Sequence, residues 1–382
     1  MTARTRITGV RVFDGEDSLP LPMDVTFDAG GIVSVTPAGS AGASAAATVV
    51  DGGGATVVDG GGATVLPGLI DAHIHLHDAD TLRQLAGFGA TTGLDMATWP
   101  AEKLAGLRDI AGRGGLADFR SPGLPAIGPA GPHSRFVPAE AVITGPDQAG
   151  RFVDARIAEG ADYIKIVTEA PGDGGPDLPT VTALVDAAHR VGRKVIAHAA
   201  TAAAFTMALD AGADMLTHIP LGRPLDPDTV RRMVAEDRIA IPTLALMEGI
   251  AFAHNSREAF AGALRSVGAL HSAGAAVLAG TDANAEPGAH TQVAHGTSLH
   301  RELELLVDAG LTPTDALRAA TSRTADAFDL PDRGRIRPGL RADLLLVDGD
   351  PTSTITATRC IRAVYVAGTP LRLPSTTTPE RR

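Results

Sequence analysis

The sequence predicts an α/β protein, a (β/α)8 TIM barrel joined to a small β-sandwich domain that both chain ends build. Three observations carry that expectation. From Leu66 onward, short apolar runs alternate with helix-like stretches for about 265 residues. Strand-like segments with period-two alternation stand before and after this region. A doubly wound sheet would call for a glycine-rich phosphate loop after an early strand, and none is evident. The expected boundaries are 1–65 and 335–382 for the two parts of the sandwich and 66–334 for the barrel.

Along the chain, residues 7–35 alternate apolar and polar positions between Asp-Gly, Ala-Gly and Gly-Gly breaks, the pattern of short antiparallel strands. Residues 39–62 are small and flexible. They contain a tandem repeat in which Val49-Val50-Asp51-Gly52-Gly53-Gly54-Ala55-Thr56 recurs as Val57-Val58-Asp59-Gly60-Gly61-Gly62-Ala63-Thr64. A single repeat of this size is too short for a solenoid and reads as a lengthened surface turn. Barrel strands are expected at 65–70, 92–96, 123–127, 163–167, 194–197, 215–217, 240–242 and 276–279. Helices are expected at 80–88, 147–159, 181–191, 226–236 and 257–273. Two more, 297–309 and 312–321, follow, the second announced by Thr312-Pro313-Thr314. Strand character returns at 343–347 and 363–366.

Composition narrows the function classes. A net charge of −11 argues against nucleic acid or an anionic membrane as partner, since both demand basic patches. No apolar run approaches the ~18 residues of a membrane span, and the N-terminus shows no signal-peptide core. One cysteine, Cys360, excludes an internal disulfide framework and fits the cytoplasm. Of 33 basic residues only Lys103, Lys165 and Lys194 are lysines, so a lysine kept in an apolar setting needs a reason.

Five strand ends carry the candidate chemistry. Pro67-Gly68-Leu69-Ile70-Asp71-Ala72-His73-Ile74-His75 is an apolar strand ending in His-x-His. Side chains two apart share a strand face, so His73 and His75 can both face the barrel axis at its C-terminal end, and imidazole at that spacing suits zinc. A lone His-x-His can equally be a surface or core pair. His77 continues the alternation but falls past the strand. Lys165 lies in the apolar run Tyr163-Ile164-Lys165-Ile166-Val167. Burial favours its neutral amine, which reacts with CO2 to give an anionic carbamate with two ligand oxygens; a carboxylate partner or solvent exposure are the competing accounts. His198 and His218 each end an apolar strand, 20 residues apart. Asp282 follows the last barrel strand, where a helix cap is the other reading. Together these six residues suffice for two metal ions with a position left open for water.

With these motifs the chain resembles the amidohydrolase superfamily, in its binuclear branch with a carboxylated lysine. The resemblance extends through Thr91-Thr92-Gly93-Leu94-Asp95-Met96, Gly280-Thr281-Asp282 and the tail Arg335-Ile336-Arg337-Pro338-Gly339-Leu340-Arg341-Ala342-Asp343-Leu344. Within it, Leu299-His300-Arg301-Glu302-Leu303-Glu304-Leu305-Leu306 and Asp162-Tyr163-Ile164-Lys165 are similar to the imidazolonepropionase-related group that contains Xaa-Pro dipeptidases. The resemblance implies two divalent cations, zinc by ligand type. His73, His75 and Asp282 would bind the more buried one, His198 and His218 the other, and the Lys165 carbamate would bridge them. It implies amide hydrolysis by metal-activated water, with Asp282 taking and returning the proton.

Substrate contacts are expected from His133 and Arg135 in Pro132-His133-Ser134-Arg135, meeting an anionic or carbonyl group; a solvated loop is the other reading. The loop Ile219-Pro220-Leu221-Gly222-Arg223-Pro224 departs from the dipeptidase pattern, because it lacks the tyrosine many of those enzymes use. That leaves dipeptides, N-acyl amino acids, lactams, carbamates or a natural-product amide as substrates. A mononuclear deaminase of the same superfamily is the runner-up, and its kind generally lacks a bridging lysine. A non-catalytic homologue would be expected to have lost ligands, and all six are present. The reading requires a small-molecule partner and leaves a homo-oligomer open.

Overall fold

The computed structural model describes residues 4–39, 49–50, 55–285 and 291–372. Strands β1 (Arg4–Val12), β2 (Met23–Asp28) and β3 (Gly31–Pro37) form an antiparallel meander, to which β4 (Val49–Val50), β5 (Ala55–Asp59) and β6 (Ala63–Pro67) are added. The tandem repeat is therefore not a lengthened turn. Its second Ala-Thr falls in β6 and its first in β5, and both strands run parallel to β1, one beside Arg4–Thr8 and the other beside Arg11–Val12. The duplication repeats a strand start, Ala-Thr-Val, in part-buried β5 and in fully buried β6; residues 51–54 of the first copy lie outside the described residues.

The chain's two ends meet in this sheet as the alternation predicts. β6 pairs antiparallel with a late strand, Leu344–Asp348, in the register Leu345 to Leu66, and that strand pairs with Ile361–Val366. Alternation then divides the late strand between two cores. Leu344 and Leu346 join Ile7, Val25 and Phe27, whereas Leu345 and Val347 face the helices of the central region. Gly89, at φ +83°, leaves room for the Leu345 side chain, which a Cβ there would meet at 2.9 Å.

The central region is a succession of parallel strands and helices. β7 (Leu69–Ile74), β8 (Ala90–Asp95) and β9 (Asp118–Arg120) make one parallel sheet; β10 (Ile164–Val167), β11 (Val195–His198), β12 (Met215–Thr217), β13 (Ile239–Ala240) and β14 (Ala276–Val277) make another. The ladders thus do not close into one ring. Single parallel bridges lie at the seams, Ala126 to Ile166 and Ile74 to Ala283. Residues 123–127 do not form the expected strand. Pro122 and Pro125 remove ladder donors and Gly123 takes φ +67°, so the third strand forms at β9 instead.

Helices α1 (Ala79–Gly87), α2 (Ala101–Ala111), α3 (Ala149–Ala158), α4 (Leu178–Arg190), α5 (Ala202–Asp210), α6 (Pro227–Ala235), α7 (Leu244–Ala253), α8 (Arg257–Ala273), α9 (Thr297–Asp308), α10 (Pro313–Ala319) and α11 (Ser322–Ala327) complete the pattern. Several start where sequence chemistry dictates: Asp78, Asp177, Asp226 and Thr312 accept backbone N–H groups at the starts of α1, α4, α6 and α10. Inward-facing Ile70, Ala72, Leu94, Ile196, Met215, Ile241 and Leu278 pack with Tyr163, and Ala325, Phe328 and Leu330 close this core from one end. By strand parity, Lys165 shares the inward face with Tyr163, and His198 shares it with Ile196, while Ile164, Ile166 and Ala197 face the outer helices. Among the described residues no helix is long and apolar enough to cross a membrane.

Candidate metal centre

At the C-terminal end of β7, the Nε2 atoms of His73 and His75 stand 3.1 and 3.0 Å from Asp282 Oδ1. Neither approach has hydrogen-bond geometry, so that buried oxygen is left without a donor. Three ligand atoms pointing at one spot are the donor set of a cation, and this group could hold a metal ion. Ligand bonds of about 2.0–2.1 Å to one tetrahedral ion place neighbouring ligand atoms about 3.3 Å apart, near the separations seen here.

Local folding sets this cluster up. Asp71, two residues before His73 on the same strand face, accepts the backbone N–H and hydroxyl of Thr281 at 3.0 and 2.7 Å. That ties the turn carrying Asp282 to β7. Thr281 and Asp282 also donate their backbone N–H groups to His73 O. His73 Nδ1 meets Thr217 Oγ1 at 2.8 Å, and in the tautomer that donates there Nε2 keeps its lone pair. Burial drives the His73 pKa well below the ordinary imidazole range. Burial raises Asp282, but His73 and His75 overcome it and hold the carboxylate well below its usual range.

His198 and His218 form a second group. His198 Nδ1 and His218 Nε2 lie 3.0 Å apart, and His218 Nδ1 meets Thr243 Oγ1 at 2.5 Å. Burial pushes His218 down to about 4, so it stays neutral and able to donate a lone pair. Lys165 stands where its charge depresses the pKa of His73, His198 and His218 alike. It is 4% exposed, and its Nζ has no hydrogen-bond partner. Burial lowers its pKa to about 7 although Asp282 and Asp95 act to raise it. An amine brought that low is present in quantity as the nucleophilic free base at neutral pH.

His133 and Arg135 lie in a single 3-10 turn, Pro132–Phe136. His133 Nδ1 is 3.1 Å from Glu169 Oε1, and its ring meets the His198 ring edge-on at 4.9 Å. Arg135 is exposed. The structure thus brings His133 to the histidine cluster and turns Arg135 to solvent. His77 accepts the backbone N–H of Ala285 through Nε2 at 3.2 Å, in keeping with its place beyond the strand.

Sequence reasoning missed Glu169, Thr217 and Thr243, which orient His133, His73 and His218. For Glu169 and Thr217 a signal was available. Thr217 adjoins His218, and Glu169 follows the Lys165 strand, where barrel active-site loops begin. Thr243 gave none, because a threonine after Pro242 is an ordinary helix start.

The amidohydrolase family model matches residues 64–371. An uncharacterised protein of Mycobacterium tuberculosis is 30% identical over 338 residues, covering 80% of this chain and 81% of that protein. Among solved structures, a Xaa-Pro dipeptidase with bound methionine in the active site matches 97% of this chain and 100% of its own, at a TM-score of 0.81 and 21% identity. A prolidase complexed with N-methylphosphonate-L-proline matches 97% and 100% at 0.77 and 21%. These likenesses give the α/β TIM-barrel fold. With its histidines and Asp282 gathered at one end of such a barrel, the chain belongs to the amidohydrolase family, hydrolases that act on carbon–nitrogen bonds.

Proposed function

We propose that this protein is a binuclear metal-dependent amidohydrolase that cleaves an amide bond of a small molecule, a dipeptide or an N-acyl amino acid. His73, His75 and Asp282 would hold one divalent cation and His198 and His218 the other, both zinc by ligand type. Lys165, as its CO2-derived carbamate, would supply an anionic ligand to both. Residues 66–334 form the hydrolase barrel, and 1–65 with 335–382 form a companion β-sandwich domain. The single cysteine, Cys360, fits a cytoplasmic protein.

The observation that carries this reading is the Lys165 Nζ, buried without a partner beside four imidazoles. A bare ammonium repels cations from this spot, and a bare amine leaves Asp282 as the one anion for both histidine pairs, at 3.1 and 3.0 Å from His73 and His75 and 3.8 Å from His218. The carbamate removes both faults, since it is an anion with two oxygens. Bound divalent cations supply Lewis acidity and lower the pKa of water toward 7.

The remaining steps fall to the chain's own groups. Asp282 takes the proton of the attacking water and delivers it to the departing nitrogen as the C–N bond breaks and the new C–O bond forms. His133, held by Glu169, faces a substrate carbonyl or carboxylate above His198, and Arg135 gives the loop positive charge. The Xaa-Pro dipeptidase and prolidase likenesses support a dipeptide-like substrate. The missing tyrosine after His218 favours N-acyl amino acids as its competitors.

Chelator-stripped protein should regain hydrolysis of a dipeptide and N-acyl amino acid panel only when zinc and bicarbonate are both supplied. Intact-mass analysis under gentle conditions should then show one added CO2. Full activity after rigorous removal of CO2 would defeat the carbamate, and binding of a single metal equivalent would defeat the binuclear centre.

A further inference from the structure

The motif Leu299-His300-Arg301-Glu302-Leu303-Glu304-Leu305-Leu306 lies on α9, away from the five strand ends, and the reaction above makes no use of it. Its Glu302 is fully buried, and no cation pairs with it. Its two carboxylate oxygens instead accept the first backbone N–H groups of α7, Leu244 at 3.1 Å and Ala245 at 2.7 Å. It therefore caps α7 from another helix; burial raises its pKa from 4.5 to about 8 against the pull of the two amide donors.

The residue immediately before that turn is Thr243. It is buried and sits at φ 49°, ψ 47°, a left-handed conformation that β-branched residues avoid. Thr243 supplies no capping hydrogen bond to α7, which leaves that task to Glu302. Its hydroxyl is instead 2.5 Å from His218 Nδ1. A second tie joins the same two helices one turn further on, where Arg301 makes a two-pronged bond to Glu248 at 3.1 and 2.7 Å.

The geometry points to Glu302 as a positioning residue for His218: by gripping the first turn of α7 it holds Thr243 in its unfavourable conformation, so that the Thr243 hydroxyl fixes the His218 ring. The inference rests on the reading of His218 as a metal ligand. Partners behind a ligating histidine typically govern metal affinity by about 10–100-fold. Glutamine at 302 replaces one acceptor oxygen with an NH2 donor facing a backbone N–H, so Glu302→Gln should loosen the grip with little change in volume.

The test loads full-length protein with zinc in the presence of bicarbonate and titrates it with a competing chelator. Glu302→Gln and Thr243→Val should each weaken the more labile half of the bound zinc by about 10–100-fold and lower kcat in step. Thr243→Ser, which restores the hydroxyl, should recover most of both, and it keeps the test sound if the Glu302 variant folds poorly. Arg301→Ala, which cuts the other α7–α9 tie, should lower Tm and leave the zinc titration alone. Variants that lose Tm but keep wild-type zinc affinity and kcat would reduce Glu302 to a structural cap and overturn the inference. A wild-type protein with no metal at His198 and His218 would overturn the proposed function first, and this inference with it.

Discussion

Two buried cations occupy opposite ends of the barrel strands, and they are treated in opposite ways. Lys165 and Arg333 are each 4% exposed. Arg333 reaches the N-terminal ends of β8 and β9 and is fully engaged: Asp118 at 2.8 Å, Asp332 at 2.8 and 3.0 Å, and the Thr92 hydroxyl at 2.9 Å. Burial works against its charge, but Asp332 and Asp118 raise its pKa above the ordinary arginine value. Lys165 has none of this. A buried charge that serves stability is given its partners, because each one left unpaired costs several kcal/mol. The lysine at the mouth lacks them, and it sits among His73, His198 and His218, whose pKa values burial lowers. The contrast separates an end of the molecule that is finished as protein from one that is finished by something added to it.

Replacing each cation with methionine should break the comparison most sharply. On the proposed function, Lys165→Met should lower kcat/KM by roughly 10³-fold or more, because the variant would lose the bridging anion and the metals that anion would retain. In metal-free protein the same variant should be as stable as wild type or more so, since it removes an unpaired buried amine. Arg333→Met should do the reverse. It leaves half-exposed Asp332 without its guanidinium and Asp118 with only Arg120, costing about 1–3 kcal/mol in denaturant unfolding, while activity per folded molecule stays near wild type. Denaturation curves and steady-state kinetics on the two variants check both halves. If Lys165→Met unfolds the apoprotein as badly as Arg333→Met does, the lysine is structural.

A third buried group sharpens the distinction, because it lacks a partner far from the metal ligands. His300 donates through Nε2 to Phe88 O at 3.0 Å, and its Nδ1 has no partner. Burial lowers its pKa from 6.5 to about 4, helped by Arg359, while Glu304 pulls the other way. Between pH 6.5 and 4 the unfolded chain therefore binds a proton that the folded chain refuses, and stability falls as pH falls through that window. The loss is on the order of 3 kcal/mol, complete near pH 4 and absent above pH 7. His300→Gln keeps a donor for Phe88 O and should flatten this part of the curve. Urea titrations at pH 7 and pH 4.5 would show it, and equal acid sensitivity in both proteins would refute the assignment.

Much of this was legible in the residues, and the parts that were not share a cause. His73, His198 and Lys165 could be placed because strand parity is local: one apolar neighbour on each side fixes which way the side chain points. The helices α2, α5, α7 and α11 were not placed. In α5 and α7, alanine-rich or uniformly apolar stretches such as Leu244–Ala253 show no 3.6-residue contrast to read. The strand at 123–127 was misplaced because Leu124, Ala126 and Ile127 are apolar, whereas the prolines among them decide the hydrogen bonding. The tandem repeat was misread for a related reason: its glycines announce a turn, and the strand starts that follow them, Ala-Thr, are only two residues long in each copy. Thr243 was beyond reach, since its role depends on which loops meet at the mouth, and no sequence spacing encodes that.

The smallest expected difference lies within one turn of chain. In a 3-10 turn three residues complete a revolution, so His133 and Arg135, two apart, point in different directions. His133 faces His198 and is braced by Glu169, so a charged or polar substrate group meets it already oriented. His133→Ala should cost about 10–100-fold in kcat/KM, the value of a hydrogen bond to a charged group. Arg135 is exposed to water, where its attraction for an anionic substrate is screened. Arg135→Ala should change KM by no more than about threefold, and added salt should remove that change. Kinetics at low and moderate ionic strength separate the two residues. A loss at Arg135 that exceeds the loss at His133 and persists in salt would mean that the loop closes over substrate and buries the guanidinium, and the substrate would then carry a carboxylate that Arg135, and not His133, selects.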